Sequence, residues 1–270
     1  MKIIVCIKQV PGIAEVRIDP KTGVLVREGV PSIINPVDKN ALELAIQLKE
    51  QTGSETIAIS MGPPQAEEAL REALSMGIDI AYLLTDRKFA GADTLATSYT
   101  LSVAINKILR DNTPNEPYLV ICGSQAIDGD TAQVGPELAE ELQIPQITNV
   151  RKMTLEGTTI TAECLLRPEE IFVMKTELPA LITVLKEINM PRHPNLIGIV
   201  DAYDNKVVLH WTVKHLDIDE TKIGIKGSQT QVGKIFIPQQ KGEHLKLSGS
   251  VKEMVTHLCQ NLKEDKVVFS

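Results

Sequence analysis

The stretch Tyr118-Leu-Val-Ile-Cys-Gly-Ser-Gln-Ala-Ile-Asp-Gly-Asp-Thr-Ala-Gln-Val-Gly135 sets the fold. Tyr118–Cys122 is a short apolar run with the length of a buried strand. A polar loop from Gly123 follows, and then a helical pattern carrying Leu138, Ala139 and Leu142. Strand, loop and helix in that order form half of a βαβ unit, and the same unit recurs upstream. Ile3–Ile7, Thr56–Met61 and Ile80–Leu84 read as buried strands. Between them lie helices striped by Val37, Ala41, Leu44, Ala45 and Leu48, by Ala66, Ala69, Leu70, Ala73 and Leu74, and by Ala92, Leu95, Ala96, Tyr99 and Val103. Parallel neighbours need crossovers of that length, and helices must cover both faces, so the expected fold is a doubly wound, mainly parallel α/β sheet. Ligands of such sheets bind beyond the carboxyl ends of the strands. That directs attention to Cys6–Gly12, Met61–Pro64, Thr85–Thr94 and Gly123–Gly135.

Two alternating runs around Pro20 and Gly23 predict a hairpin insertion at about 16–27. Asn35-Pro36 opens the first helix, since proline suits a first turn whose N–H has no partner. After Pro145 the pattern changes to short alternating runs, notably Ile171–Met174 and Ala180–Leu185. From Lys186 the chain reads as irregular to about Lys246. A last helix follows, with Val251, Val255 and Leu258 on one face. The expected division is a nucleotide-binding domain over 1–190 and a loop and arm over 191–270, the arm packing on a partner.

Composition excludes several classes. With 28 basic and 35 acidic residues the net charge is −7, which lacks the basic face a nucleic-acid binder needs. Aromatic residues are 3%, too few for base-stacking platforms. No apolar run reaches the roughly 18 residues of a membrane span. The N-terminal run closes at Lys8, shorter than the about 7–15 residues of a secretory core segment. Cys6, Cys122, Cys164 and Cys259 lie far apart, without metal-ligand spacing, and isolated thiols suit a reducing cytoplasm.

In the Gly123–Gly135 loop, Gly123 and Gly129 permit close backbone approach or positive φ. Thr131 is a candidate helix cap, and unpaired N–H groups at a helix start make an anion site without lysine. Asp128 and Asp130 repel a pyrophosphate unless loop N–H groups, a ribose hydroxyl or a cation engage them. An Asx-turn before a helix is the alternative.

The loop closely resembles the signature loop of electron-transfer flavoprotein β subunits. Cys6-Ile-Lys-Gln-Val-Pro, Asn35-Pro-Val-Asp38, Ser60-Met-Gly-Pro-Pro64, Ala73-Leu-Ser-Met-Gly77, Leu178-Pro-Ala-Leu-Ile182 and Pro191-Arg-His-Pro-Asn-Leu-Ile-Gly198 match in the family's order. The resemblance implies an adenine-nucleotide α-hydrolase-like Rossmann variant with a C-terminal partner-binding arm. It also implies an obligate heterodimer with an α subunit that carries a mobile FAD. The β chain itself holds AMP in conventional members and a second FAD in electron-bifurcating members, where NADH gives hydride and ferredoxin or flavodoxin takes the low-potential electron.

Asp128–Gly135 and Gly91-Ala-Asp-Thr-Leu-Ala-Thr97 resemble the FAD-binding, bifurcating branch. By that match Cys6, Asn35, Asp38, Met61 and Gly62 line the adenine and ribose end. Gly123, Ser124, Gln125, Asp128, Gly129, Asp130, Thr131, Ala132, Gln133, Val134 and Gly135 hold the pyrophosphate. Asp93, Thr94 and Thr97 approach the isoalloxazine, with a plain helix cap as the alternative role for Thr94. No catalytic side chain is assigned, because the cofactor carries the chemistry. Arg192 and Leu196 belong to the loop that docks a flavin dehydrogenase. The family's lysine-rich continuation is replaced here by Ile199-Val-Asp-Ala-Tyr-Asp204, so a dehydrogenase of the 2-hydroxy-acid type stands beside the usual acyl-CoA type. From another class, a nucleotide-binding regulatory protein leaves the arm unexplained.

Overall fold

A computed structural model describes residues 1–12, 17–18, 25–26, 32–112, 116–167, 170–231, 233 and 246–264. It divides into two compact units, Met1–Gly233 and Lys234–Ser270. The nine strands of the first unit's main sheet are β1 (Lys2–Cys6), β2 (Glu55–Met61), β3 (Ile80–Leu84), β4 (Tyr118–Gly123), β5 (Gln146–Glu156), β6 (Thr159–Arg167), β7 (Glu170–Glu177), β8 (Ala180–Val184) and β9 (Val208–Trp211). They lie in the order β7-β6-β5-β8-β4-β1-β2-β3-β9. From β5 through β8 to β9 every pairing is parallel, while β5, β6 and β7 form an antiparallel extension. The doubly wound, mainly parallel sheet is therefore present as expected.

The chain builds outward from β1 through β2 to β3 and then returns to place β4 on the other side of β1. Two parallel strands whose connections leave in opposite directions open a crevice at their carboxyl ends, the usual ligand position of such sheets. Cys6 and Cys122 face each other in register at that point. Both are buried, as is Cys164.

The central strands are apolar on both faces because helices cover both. Ile3, Val5, Ala58 and Ile121 pack with residues of α1 (Pro36–Thr52) and α2 (Glu67–Met76). Ile4, Ile57, Ile59 and Val120 pack with α3 (Thr94–Asn112) and α4 (Val134–Leu142). Burying each such aliphatic side chain contributes roughly 1.5–3 kcal/mol. Pro36 occupies the first turn of α1, and Gly53 ends it at φ 70°, where a left-handed residue turns the chain back. In α3 the buried face runs through Ala96, Leu101, Ala104, Ile105 and Ile108. Ala92 precedes the helix, and Leu95 is exposed.

Outside the main sheet, Gln9–Pro11 pairs antiparallel with Ser32–Ile34, and Arg17–Ile18 with Leu25–Val26. Two features correct the expected organisation. The first unit continues to Gly233 rather than ending at 190, because β9 joins the sheet edge beside β3. The stretch after Lys186 is also not irregular throughout. It contains α5 (Leu196–Asp204), β9 and the short α6 (Gly224–Gly227). Asn195 starts α5 by accepting a hydrogen bond from the Gly198 N–H at 2.7 Å.

In the second unit, α7 (Val251–Glu264) opens with Ser250. The Glu253 carboxylate accepts from the Ser250 N–H at 2.8 Å and from its hydroxyl at 2.7 Å. Val251, Val255 and Leu258 are exposed. Among the described residues no helix is long and apolar enough to cross a membrane.

Candidate functional site

The crevice between β1 and β4 is braced by one buried carboxyl. Asp38, in the first turn of α1, accepts the Lys8 N–H at 2.8 Å and the Asn35 side-chain amide at 2.9 Å. It also accepts the Gly123 N–H. Burial pushes this carboxyl up to about 7, against the lowering effect of Asn35, the Lys8 and Gly123 N–H groups and the Lys8 charge. Gly123 is obligatory in this arrangement. A Cβ there would overlap the Asp38 carboxylate and press on the Asp38 backbone N at 3.1 Å.

Asn35 extends the brace into the loop after β4. Its amide N–H₂ also donates to the Gln125 carbonyl at 2.9 Å, and its carbonyl accepts the Ile127 N–H at 3.2 Å. Asn35 and Asp38 thus tie the ends of β1 and β4 to the loop. The two loop carboxylates are both engaged. Lys8 Nζ lies 2.7 Å from Asp128, and Gln125 Nε2 donates to Asp130. An anion approaching the loop therefore meets one carboxylate paired with a cation and one that is hydrogen-bonded but keeps its full charge.

Asp130 and Ala132 hold left-handed backbone at φ 53° and 55°, just before the start of α4. The conformational demand falls on these two residues and not on Gly129, which has nothing within 4 Å of its Cβ position. Thr131 is not the helix cap. Gln133 occupies that position without a side-chain hydrogen bond, leaving the N-terminal N–H groups of α4 without a side-chain cap. Gly135 is needed for packing, because a Cβ would lie 2.5 Å from Thr183 Cγ2 on β8.

The start of α3 lies against this helix. Asp93, not Thr94, caps α3, accepting the Ala96 N–H at 3.0 Å. Its second oxygen accepts the Thr230 N–H at 2.9 Å and the Thr230 hydroxyl at 3.1 Å, which commits both oxygens within the chain. Relieved of capping, the Thr94 hydroxyl reaches across to Glu137 Oε1 at 3.1 Å and Gln133 Oε1 at 3.2 Å. Thr97 lies one turn on and half-buried. Met61 ends β2 and Gly62 follows it, its N–H donating to the Leu84 carbonyl at 3.1 Å. Lys8, Asn35, Asp38, Gly123, Gln125, Asp128 and Asp130 thus form one connected cluster, with Cys6 beside Cys122 at the strand ends, and Thr94, Gln133 and Glu137 form a second. Glu137 was not legible as a site residue, since its partners lie on another helix some forty residues upstream.

The two residues expected to dock a partner, Arg192 and Leu196, behave differently from each other. Arg192 forks onto Glu43 at 2.8 and 3.1 Å and onto Glu50 at 2.6 and 3.1 Å. These two carboxylates raise its already high pKa further, and the same contact lowers that of Glu50. Arg192 is spent on anchoring the loop to α1. Leu196 is 76% exposed and Ile197 82%, so neither packs in the chain's own core.

A doubly wound α/β protein with its crevice at the β1/β4 reversal defines the class. A model of the electron transfer flavoprotein domain matches residues 22–208. The electron transfer flavoprotein subunit beta of Thermoanaerobacterium thermosaccharolyticum is 52% identical over 269 residues, covering 99% of this chain and all of that relative. The caffeyl-CoA reductase-Etf complex subunit CarD of Acetobacterium woodii is 44% identical, again over 99% of this chain and all of the relative. The acryloyl-CoA reductase electron transfer subunit gamma of Anaerotignum propionicum is 40% identical with the same coverage. The chain belongs to the electron transfer flavoprotein family, as a β subunit that pairs with an α subunit.

Proposed function

We propose that the crevice between β1 and β4 holds an FAD and that the chain serves an electron-bifurcating complex. The observation that carries this reading is the pairing of two features at one place. The loop's left-handed Asp130 and Ala132 precede an uncapped α4 N-terminus, and Thr94 on α3 stands beside it. The first suits a pyrophosphate, which gains from helix N–H groups and the dipole. The second is a polar side chain beside the same helix start, which supports a cofactor larger than AMP.

The residues fit such a group. Gly123 lets the backbone pass close to Asp38, and Lys8 and Gln125 offset the loop carboxylates. Cys6, Met61 and Gly62 would flank the adenine end, Gly123–Gly135 the pyrophosphate, and Thr94 and Thr97 the ring system. The chemistry that a bound FAD would supply here is hydride acceptance from NADH and one-electron transfer. This chain's residues bind, orient and set the local field, and none acts as nucleophile or acid in that reading.

Leu196 and Ile197 would dock the dehydrogenase, with Arg192 fixing their loop against α1. The names of two relatives, a caffeyl-CoA reductase complex and an acryloyl-CoA reductase, favour a dehydrogenase acting on a CoA thioester over a 2-hydroxy-acid type. Ferredoxin or flavodoxin would take the low-potential electron. Three buried free thiols suit a cytoplasmic setting.

The test is nucleotide content. The chain is co-expressed with its α subunit, the ligands are released with acid, and FAD and AMP are quantified. Two FAD per heterodimer without AMP supports the reading and makes an NADH assay the next step. One FAD with one AMP sinks it, leaving an AMP-binding partner of an electron carrier.

A further inference from the structure

Glu137 lies in the first turn of α4, half-buried against the start of α3. Two hydroxyls reach its carboxylate. Thr94 Oγ1 is 3.1 Å from its Oε1, Ser98 Oγ is 3.3 Å from its Oε2, and Gln133 Oε1 competes for the same Thr94 proton at 3.2 Å. Ser98 has a better acceptor in the Thr94 carbonyl at 2.8 Å, and a further one in the Val134 carbonyl at 3.2 Å. The single Thr94 hydroxyl proton therefore goes to the carboxylate, because an ionised acceptor outcompetes a neutral amide oxygen.

We propose that Glu137 is a positioning residue of the nucleotide site: by taking the Thr94 hydroxyl proton in a hydrogen bond, it presents Thr94 Oγ1 to the bound ligand as an acceptor only. This deepens the FAD reading and rests on it. An acceptor at Thr94 favours a ligand edge bearing a ring N–H and disfavours one bearing only carbonyl oxygens or bare ring nitrogens. Isoalloxazine has edges of both kinds, so the polarity of Thr94 selects which of them it meets.

The polarity is not permanent. Burial raises the Glu137 pKa above the ordinary glutamate value, the Thr94 and Ser98 hydroxyls oppose that, and the nearby Asp93 carboxylate pushes it further up. Asp93 is the charged group that faces Glu137 from the α3 side, and it is held as a carboxylate by Ala96 and Thr230. Once protonated, Glu137 donates instead of accepting. Thr94 is then free to turn its own proton toward the ligand, and one negative charge leaves the neighbourhood of an anionic nucleotide. Oxidised FAD, rich in acceptors and carrying the pyrophosphate charge, is expected to bind more tightly in that state.

The experiment titrates FAD into the full nucleotide-free chain from the ordinary glutamate value of 4.5 upward to about pH 8, for the wild type and for Glu137→Gln. The wild-type dissociation constant is expected to rise about threefold or more across the range, and that of the variant to stay flat near the wild type's low-pH value. Equal slopes in the two proteins would overturn the proposal. A ligand-free arm stands apart from the cofactor. Thr94→Val removes a hydrogen bond to the carboxylate and is expected to move the pH dependence of the thermal midpoint upward in the wild-type background, but not in Glu137→Gln. An unmoved profile would overturn the hydrogen-bond assignment. Absence of FAD binding at every pH, with that ligand-free shift intact, would instead defeat the FAD reading.

Discussion

The Asp38 carboxylate occupies the space that any side chain at position 123 would need, and it accepts the Gly123 N–H from within that space. The absence of a Cβ at the end of β4 is therefore what lets a carboxyl from α1 brace the crevice. Gly123→Ala forces the two apart. Overpacking of this kind costs about 1–3 kcal/mol. In a unit of this size the melting midpoint falls about 2–4 °C for each kcal/mol. Calorimetry on the full chain checks it, and an unchanged midpoint would mean that α1 slides away without cost.

Asp38 also predicts a pH dependence. Its ordinary value of 3.8 rises to about 7 in the folded chain, so between those values the folded state holds a proton that the unfolded state has released. Stability from this group is complete below the unfolded value and is lost as pH rises toward the folded one. Asp38→Asn removes that slope. It also sets an N–H₂ against at least one of three N–H donors, an unsatisfied contact costing about 1–3 kcal/mol. The variant is expected to be less stable than wild type near about pH 5, with the gap narrowing toward neutral pH. Thermal midpoints measured in steps of pH decide the matter, and parallel curves would show that Asp38 does not titrate in this window.

Much of this was legible before any coordinates. The strands β1 to β4 and the helices between them announced themselves through apolar runs and 3.6-residue stripes, since burial on both faces demands both. The edge strand β9 did not. Val208-Leu-His-Trp211 is four residues long, half-exposed and without alternation, and only its ladder to β3 makes it a strand. Helix α5 was hidden for a related reason, as its Leu196 and Ile197 face solvent and leave no buried stripe. Within the site, the identities of Asn35, Asp38 and Gly123 were readable, but the contacts that tie Asn35 and Asp38 to the end of β4 and its loop join residues 85 or more positions apart. The division of labour between Asp93 and Thr94 turned on Thr230, which no local pattern connects to either.

Gly129 offers a cleaner probe of the loop than its neighbours. Its Cβ position is open, and its φ lies outside the left-handed region, so a side chain there costs the ligand-free fold little. Gly129→Val is expected to change stability by less than about 0.5 kcal/mol, the usual range for an exposed site. Its nucleotide occupancy is nevertheless expected to fall, because a branched side chain stands where a pyrophosphate would approach the loop. Acid release and quantification of FAD and AMP provide the measurement. Full occupancy with an unaltered fold would remove this loop from the site.

Leu196 and Arg192 would separate contact from support in the loop proposed to dock the dehydrogenase. Leu196→Ala takes away an exposed apolar side chain that touches no core, so the melting midpoint should hold. Coupling to the dehydrogenase should weaken by the roughly 1.5–3 kcal/mol that burying a leucine contributes, or about 10- to 150-fold in affinity. Arg192→Lys keeps the charge but loses the planar fork that engages Glu43 and Glu50 together. Glu43 is buried and would be left with a poorer partner. That variant is therefore expected to lower the melting midpoint and dehydrogenase affinity together, although the guanidinium itself faces α1. Dehydrogenase binding and calorimetry on both variants test the distinction. Loss of affinity in Arg192→Lys with an unmoved midpoint would place Arg192 in the interface instead.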